Sequence, residues 1–567
     1  MRSEPLPAVI RLAPALTILL LVGPLAAGLL GVLIVAGGGV EAFSAGIGLG
    51  GAVQAVFAAP GILRSLAVPL VAALATTAVA LGVTFLVMAA FYGTRAFAVL
   101  RQLVAPLLSV PHAAAAVGLA FLIAPSGLVA RLVSPGLTGW VRPPDALIVH
   151  DPLGLSMMAG LAAKEMPFLM LVALAGLSGL QPGRATALMR SLGYGRLRGF
   201  WVALAPQLYR QIRLPVFAVI AYASAQVDVA LVLGPTTPPP FSLRILEWAQ
   251  DPDLGQRQVA AAAALVQLAL TAFAGLCWMA GERLMAALWR RAAMSGRRFH
   301  RDGGLRALAL GLGLLPVLSV GGGLLALALW SVSGPWRFPE ALPVRFTLAA
   351  WQRFAASLDE SLVPTLLIAG LASMAALVLV VLCLAFETTR GMKSLSSRGL
   401  VVLYLPLLVP QVAFLFGLQI LAIVLHLDGT LLGVAAVHLL FVLPYVYLSL
   451  AGPWRRVDPR FDTTAASLGL TPLRRLLRVR LPLLTAPLLT AFAIGLAVSI
   501  GQYLPTLMIG AGRIQTITTE TLALSSGGDR RLLGAAALLQ ALLPFLGFAL
   551  ALVLPGLLFR NRRGMTA

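Results

Sequence analysis

Six polar residues lie within long apolar stretches of the sequence and are the first candidates for contact with a polar solute. They are Gln226, Asp228, Gln502, Tyr503, Lys164 and Glu165. A charged side chain at the centre of a bilayer costs about 2.5–3.5 kcal/mol on insertion scales, so such a group requires a partner or water. The chemistry open to this set is therefore non-covalent: the residues can line a pathway for a solute.

These residues also have structural explanations. Lys164 and Glu165 are adjacent, so on a helix their side chains point about 100° apart, which argues against a pair between them. Both lie near the external end of a predicted span, where a long side chain can reach the interface. Gln226 or Gln502 can simply join two membrane helices. The sequence leaves both interpretations open.

Nothing in the sequence has the spacing of a catalytic or metal site. It contains no H-E-x-x-H or G-x-S-x-G motif and no paired carboxylates at a common depth in the predicted spans. Cys277 and Cys383 are far apart, and the five histidines lack ligand spacing. We therefore predict no catalytic residue, no bound metal and no cofactor on this chain.

The composition is that of a membrane protein. Hydrophobic residues make up 59% of the 567 and charged residues only 11%, against about 25% charged in a soluble domain. The apolar residues form blocks long enough to cross about 30 Å of hydrocarbon as helices. We predict an all-α integral membrane protein with twelve spans: 11–37, 66–92, 104–124, 157–180, 214–236, 257–287, 307–331, 361–386, 399–424, 431–452, 484–510 and 532–558. The first span is far longer than the apolar region of a secretory signal, so we expect it to be retained.

The charge distribution gives the orientation. The net charge is +22, but the basic residues follow one side of the membrane instead of clustering with aromatic residues on one soluble face. Most of the 42 Lys and Arg residues, and few of the 20 acidic ones, fall in the segments on the side of the N-terminus. The positive-inside rule then places both termini in the cytoplasm. This pattern also argues against a nucleic-acid partner and for membrane lipid.

The chain contains an internal repeat. The shift that carries Gly193 onto Gly469 also carries Pro206 onto Pro482 and Gln226 onto Gln502. Each copy has six spans, so the two copies are parallel repeats, and their interface is the expected pathway. Earlier in each half the best shift is longer, because the external segment 125–156 of the first copy is long whereas its counterpart around His426 to Gly429 is a tight turn. The predicted divisions are a first helix with its external segment (1–60), repeat 1 (61–287), a basic cytoplasmic linker (288–306), a seventh helix with its external segment (307–360), repeat 2 (361–558) and a cytoplasmic tail (559–567).

A long cytoplasmic loop follows the fourth span of each half, at 181–213 and 453–483. In the second loop Asp462 is expected to cap a short helix, Gly469 to end it in a left-handed turn and Pro472 to begin a second helix. Arginines such as Arg474 can face lipid phosphates or an acidic partner. A positive-inside loop would explain the arginines, but it would not require the same Gly-to-Pro spacing in both copies.

These loops resemble the signature loop of permease subunits of binding-protein-dependent ABC importers, E-A-A, three residues, Gly, nine residues, then Ile-x-Leu-Pro. The second copy has Thr463-Thr464-Ala465, then Gly469 and Val479-Arg480-Leu481-Pro482; the first keeps little beyond Gly193 and Pro206. The resemblance implies short coupling helices at about 191–200 and 467–476 that contact an ATPase. The implied coupling residues are Ser191, Leu192, Gly193, Leu197, Arg198, Pro206, Ser467, Leu468, Gly469, Leu473, Arg474, Leu481 and Pro482.

The resemblance also implies partners. Neither lysine of the chain, Lys164 or Lys393, lies in a P-loop motif, so ATP and Mg would bind to a separate ATPase, in two copies, one for each loop. A periplasmic solute-binding protein would deliver the substrate at a bacterial inner membrane. Fused permeases of this kind serve iron(III) and thiamine importers, and the stretches 228–240 and 501–520 look most like a thiamine-type permease.

Two other classes remain at this point. An ion-coupled secondary transporter of the 6+6 type shares the span count and the parallel halves, but it usually has a short Gly/Asp/Arg-rich turn between its second and third spans. Here that turn is Gly93-Thr94-Arg95-Ala96-Phe97. A membrane enzyme or scaffold is the other alternative. The repeat and the paired loops favour the ABC permease.

Overall fold

The structure is a computed structural model that describes residues 7–41, 45–296, 298, 302–392 and 395–558. Helices dominate these residues, and the extended pairing they show is one isolated bridge between Ser333 and Phe346. The all-α prediction is therefore confirmed. The predicted tail 559–567, Lys393 and the linker residues Arg297 and Arg301 lie outside the described residues.

The described residues contain thirteen α-helices in each half. Those of the first half are α1 Ala8–Ala36, α2 Leu49–Ala58, α3 Ile62–Phe91, α4 Arg95–Val104, α5 His112–Ile123, α6 Leu128–Val133, α7 Leu155–Leu177, α8 Pro182–Ser191, α9 Arg196–Ala203, α10 Ala205–Ser224, α11 Asp228–Leu233, α12 Phe241–Gln250 and α13 Gln256–Met294. Those of the second half are α14 Gly303–Ser331, α15 Ala349–Ala355, α16 Leu358–Thr389, α17 Ser397–Leu408, α18 Gln411–Val424, α19 Leu431–Arg456, α20 Pro459–Ser467, α21 Pro472–Arg475, α22 Leu481–Leu483, α23 Thr485–Ile500, α24 Leu504–Gly510, α25 Ile517–Ser525 and α26 Arg530–Leu558.

The number of membrane helices agrees with the prediction of about twelve. Within the described ranges, nine segments are long and apolar enough to cross a membrane: α1, α3, α5 with α6, α7, α13, α14, α16, α19 and α26. Two further spans meet the test only as bent helix pairs: α17 with α18, bent by 85°, and α23 with the preceding Pro472–Leu483, which belongs to the long loop, bent by 81°. The twelfth is α10, which carries Arg210 and Arg213 and is therefore less apolar, but occupies the place of α23 in the repeat.

Several predicted spans are interrupted in the structure. The span expected at 214–236 breaks after Ser224, and the span expected at 484–510 breaks after Ile500. The span expected at 104–124 begins as a 3-10 turn, Ala105–Ser109, and its α-helix begins only after Pro111. Proline lacks a backbone N–H and ends helices in this way. The other two breaks contain no proline, and hydropathy could not reveal them.

The first helix of each half packs against the opposite half. Helix α1 contacts α18 and α16 of the second half as well as α13, and α14 contacts α5 and α3 of the first half as well as α26. The segments 1–60 and 307–360, which the sequence set apart from the repeats, therefore contain the two helices that join the halves.

Both of these crossings are made at glycine. Gly28 of α1 meets Gly417 of α18, and Gly323 of α14 meets Gly118 of α5. A Cβ atom on Gly417 would lie 1.9 Å from the Gly28 carbonyl oxygen, and one on Gly323 would lie 2.8 Å from the Gly118 carbonyl carbon. Small residues allow backbones to approach closely in lipid, where no hydrophobic force drives helices together. The repeat has thus preserved one glycine contact on each side of the interface.

We expect Gly417→Ala to destabilise the protein, because the added methyl group would collide with backbone atoms that cannot rotate away. Overpacking of this kind costs about 1–3 kcal/mol, which would appear as a lower thermal unfolding midpoint in detergent. The control is Gly370→Ala in α16, where a Cβ atom would have no neighbour within 4 Å. Equal midpoints for the two variants would contradict the close crossing.

Candidate substrate pathway and coupling loops

The break in the first half leaves helix-end carbonyls inside the membrane, and polar side chains pair with them. Gln267 of α13 donates from Nε2 to the Ser224 carbonyl oxygen at 3.0 Å. Ser242 of α12 donates from Oγ to the Gln226 carbonyl oxygen at 2.8 Å. Gln267 and Ser242 are both buried. The carbonyls at the break thus accept hydrogen bonds from side chains that come later in the same half.

In the second half, side chains from the equivalent helices form hydrogen bonds with the carbonyls at the break. Thr518 of α25, which matches Ser242 in the repeat, donates its hydroxyl to the Ile500 carbonyl oxygen. Gln540 of α26 donates from Nε2 to the Thr518 hydroxyl at 2.7 Å, and Thr506 donates to the Gln502 carbonyl oxygen at 3.0 Å. An unpaired backbone group in hydrocarbon costs several kcal/mol, so both breaks are retained only because these side chains pair with them.

The first break presents a set of polar groups at the interface of the halves. Gln226 donates from Nε2 to the Tyr222 hydroxyl at 2.7 Å and also to Asp228. Glu165 of α7 lies 3.4 Å from Nε2 of His112, whose ring centroid is 4.9 Å from that of Tyr222. Glu165, Gln226 and Asp228 are buried.

The second half contributes two tyrosines to the same region. Tyr503, in the second break, lies within electrostatic range of Asp228, and Tyr445 of α19 lies within range of Glu165. We call the seven residues the central polar cluster: His112, Glu165, Tyr222, Gln226, Asp228, Tyr445 and Tyr503. Gln502 occupies the position equivalent to Gln226 and is buried, but within the described part of the chain no hydrogen bond joins the two glutamines.

Lys164 does not belong to this cluster. Its Nζ donates to the carbonyl oxygens of Leu107 and Val110, each at 2.6 Å. Both carbonyls precede the proline that interrupts the predicted third span. Lys164 therefore stabilises a helix break, while the neighbouring Glu165 faces the cluster.

A cavity of about 480 Å³ opens between the halves on the side away from the long loops, and Tyr503 joins it to the central polar cluster. Its lining includes one carboxylate, Glu520, and one imidazole, His150. Both halves line it, with His150 and Leu231 from the first and the remainder from the second: Tyr503, Leu507, Gly512, Ile514, Gln515, Thr519, Glu520, Leu522, Ala523, Ser525 and Ser526.

His150 belongs to the segment 125–156, which is longer in the first half, and the sequence did not identify it as a site residue. Its Nδ1 lies 2.7 Å from the Gly234 carbonyl oxygen at the end of α11. The adjacent Asp151 accepts from the backbone N–H groups of Leu155 at 2.7 Å and Ser156 at 2.8 Å. Burial acts to raise the pKa of Asp151, but these hydrogen bonds outweigh it and hold the pKa below its ordinary value. Asp151 thus stays ionised and fixes the segment at the rim of the cavity.

The two long loops after the fourth predicted spans have the same backbone plan. In the first, α8 ends in a left-handed turn at Gly193 (φ 78°) and α9 follows; in the second, α20 ends at Gly469 (φ 79°) and α21 begins at Pro472. The coupling segments expected at 191–200 and 467–476 therefore straddle the turn and are not single helices. A short helix before a left-handed glycine is the common element.

Asp462 does not cap α20, contrary to expectation. The cap is Asp458, whose Oδ1 accepts from the backbone N–H of Arg460 at 2.9 Å. Asp462 lies within the helix and forms an ion pair with Arg480 at 3.0 Å, while the Arg480 guanidinium lies 4.8 Å from the Trp454 ring centroid. The sequence could not show this because Arg480 reaches back from beyond the turn.

The other residues predicted to take part in coupling divide between surface and interior. Leu192, Leu468 and Leu473 are exposed, the second by 75%. Leu197 is buried at 4% and packs within the fold instead of facing a partner. The hydroxyls of Ser191 and Ser467 donate to carbonyls of their own helices at 2.8 Å. Arg474 lies in α21, Pro206 lies in the first turn of α10, and Leu481 and Pro482 lie in α22.

Known proteins resemble the chain as follows. Residues 389–561 match the family model described as "Binding-protein-dependent transport system inner membrane component". The inner membrane ABC transporter permease protein YnjC of Escherichia coli strain K12 is 33% identical over 499 residues, which cover 88% of this chain and 89% of the relative. The putative 2-aminoethylphosphonate transport system permease protein PhnV of Salmonella typhimurium is 29% identical over 212 residues, 35% of this chain and 75% of that protein. No solved structure shows a significant match.

We expect Gln267→Leu to lower the free energy of unfolding by about 1–3 kcal/mol, because the Ser224 carbonyl would lose its side-chain donor. Gln540→Leu should cost less, since Thr518 would still donate to the Ile500 carbonyl. Thermal unfolding of the two variants in the same detergent measures the difference. A larger loss for Gln540→Leu would refute the assigned pairing.

Proposed function

The chain belongs to the inner-membrane permeases of ABC transporters, and from this premise we propose how it selects its substrate and couples to its partners. It is the transmembrane permease subunit of an ABC importer. The similarity to a permease over nearly the whole chain is the observation that carries this conclusion. The proposal concerns the partners, the orientation and the substrate.

Two copies of an ABC ATPase dock on this chain, one on α8 with its glycine turn and one on α20 with its glycine turn. Exposed leucines on each loop, with the nearby arginines, give a surface with an apolar centre and a basic rim. ATP and Mg bind to the ATPases. The basic loops and linker lie at the cytoplasmic face with both termini, and the cavity opens to the periplasm, where a solute-binding protein delivers the substrate.

Movement at the loops reaches the pathway through single helices. Helix α10 begins beside the first loop and ends at the break that carries Gln226; α23 does the same for Gln502. The 20 residues of α10 span about 30 Å at 1.5 Å per residue. Closure of the ATPases therefore shifts the two broken ends together, which opens or closes the central polar cluster below the cavity.

The substrate is a cation of the thiamine or iron(III) type. Glu520 lies in the cavity, and Asp228 and Glu165 lie below it, so a cation entering from outside meets carboxylates along its path. The tyrosine rings of the cluster can contact an organic cation through their faces, which favours thiamine over a metal ion. The phosphonate group named for the Salmonella relatives would meet these carboxylates unfavourably.

We expect Gly469→Val to abolish or strongly reduce uptake while ATP hydrolysis continues, because a β-branched residue is strained at φ 79° and would distort the turn. A Cβ atom there has open space, so the effect would come from the backbone. Uptake and ATP hydrolysis are measured in proteoliposomes with the ATPase and binding protein. The control is Gly281→Val in α13, also with open space around its Cβ; normal uptake by Gly469→Val would refute the role.

We expect Asp228→Asn to reduce uptake of thiamine by about ten-fold, since a lost attraction of ~1.4 kcal/mol is a factor of ten. The amide can keep a hydrogen bond to Gln226, so the change is mainly one of charge. Asp359→Asn, at an exposed position in the first turn of α16, is the matched control. Equal thiamine uptake by both variants would contradict a cationic substrate at this site.

A further inference from the structure

The linker between the halves makes several contacts with the first coupling loop. Trp289 donates from its indole Nε1 to the Trp201 carbonyl oxygen at 2.9 Å. Arg198 of α9 donates to the Ala292 carbonyl oxygen at the end of α13. The Arg298 side chain lies against the turn, since a Cβ atom on Gly193 would meet its Cδ and Nη1 at 3.4 Å. The contacts reach both the turn and the helix after it.

Asp302 connects this loop to the second half. Its Oδ2 accepts from the backbone N–H of Leu197 at 3.1 Å, at the start of α9. The backbone carbonyl of the same residue accepts from Arg306 N at 2.9 Å in the first turn of α14. A carboxylate also suits the positive end of the α9 dipole. One residue therefore joins the first coupling loop to the helix that begins the second half.

Helix α14 then carries this connection into the membrane. It crosses α5 at the Gly118–Gly323 contact and also packs against α26. A displacement of α9 is thus passed to both halves, because α14 touches both.

The second coupling loop has a different support. Its described ion pair, Asp462 with Arg480, lies within the loop, and Arg480 packs on Trp454 of α19. The cap of α20 is likewise internal, from Asp458 to Arg460. These contacts fix the second loop to its own half. The first loop is held by its own half as well, because Arg196 donates to the carbonyl oxygens of Ala89 and Tyr92, but among the described residues it alone also has the contacts with the linker described above.

We propose that the linker is a working part of the first coupling loop, and that Asp302 is a positioning residue that ties ATPase movement at α9 to α14. The proposal rests on ATPase docking at the loops. It explains why the first loop has kept only the glycine and proline of the signature: the linker supplies positioning contacts that residues of the loop supply in the second copy. The linker then takes part in coupling, in addition to joining the two halves covalently.

The test compares Asp302→Ala with Asp302→Asn in the full chain, reconstituted in liposomes with its ATPase and binding protein. The readout is the amount of substrate taken up per ATP hydrolysed. We expect Asp302→Ala to lower this ratio about five-fold, at the lower end of typical coupling energies. Asp302→Asn keeps an acceptor oxygen for Leu197 N and should restore most of the ratio.

A second test variant is included in case Asp302→Ala folds poorly, together with a control variant. Trp289→Phe removes only the indole donor to Trp201 and should lower the ratio about two-fold. Asp253→Ala is the matched control, because Asp253 also accepts a backbone N–H, from Gly255 at 2.9 Å, but in a turn outside the loop. It should leave the ratio unchanged.

An unchanged ratio in Asp302→Ala and Trp289→Phe would overturn the proposal. A parallel fall of uptake and ATP hydrolysis would also overturn it, because that result indicates a purely structural role. Absence of ATP-dependent uptake in the unmodified complex would instead refute the proposed function, so the two failures are distinguishable.

Discussion

The cost of an unpaired backbone group in hydrocarbon governs this structure. It makes the chain helical throughout the membrane, and it requires a partner wherever a helix is interrupted. At the first break the partners of the free carbonyls are Gln267 and Ser242. At the second break Thr518, supported by Gln540, is the partner, and before α5 it is Lys164. Of these side chains only Lys164 was a candidate for contact with a solute in the sequence, and in the structure it pairs with carbonyls at a helix interruption as the others do.

The breaks place functional groups where a continuous helix could not. Beyond Ser224 the chain turns, and Gln226 donates hydrogen bonds to Tyr222 and Asp228, with Tyr503 of the other half within electrostatic range of Asp228. The same helices begin at the coupling loops. Each of these helices thus has a long loop at one end and a polar break at the other, and under the proposed function it would connect the ATPase to the pathway mechanically.

The two halves keep this plan but support it differently. Gly28 with Gly417 and Gly323 with Gly118 repeat one crossing, which requires both copies to remain closely packed. Elsewhere the copies have diverged. The first has an added segment that brings His150 to the cavity and a loop that contacts the linker as well as its own half, whereas the second has an ion pair within its own loop.

The sequence by itself determined the class, the approximate number of spans, the repeat and the left-handed glycines of the loops, because hydropathy, charge bias and turn chemistry are local properties. It also paired Gln226 with Gln502, since the repeat sets them at equivalent depths. Only the tertiary structure decided that both lie in helix breaks, that Lys164 and Glu165 have different roles, and that Asp462 pairs with Arg480 instead of capping a helix. Each of these features depends on a partner that is distant in sequence or lies beyond a turn. Hydropathy cannot predict which distant group will form the hydrogen bond to a carbonyl or the ion pair with a charge.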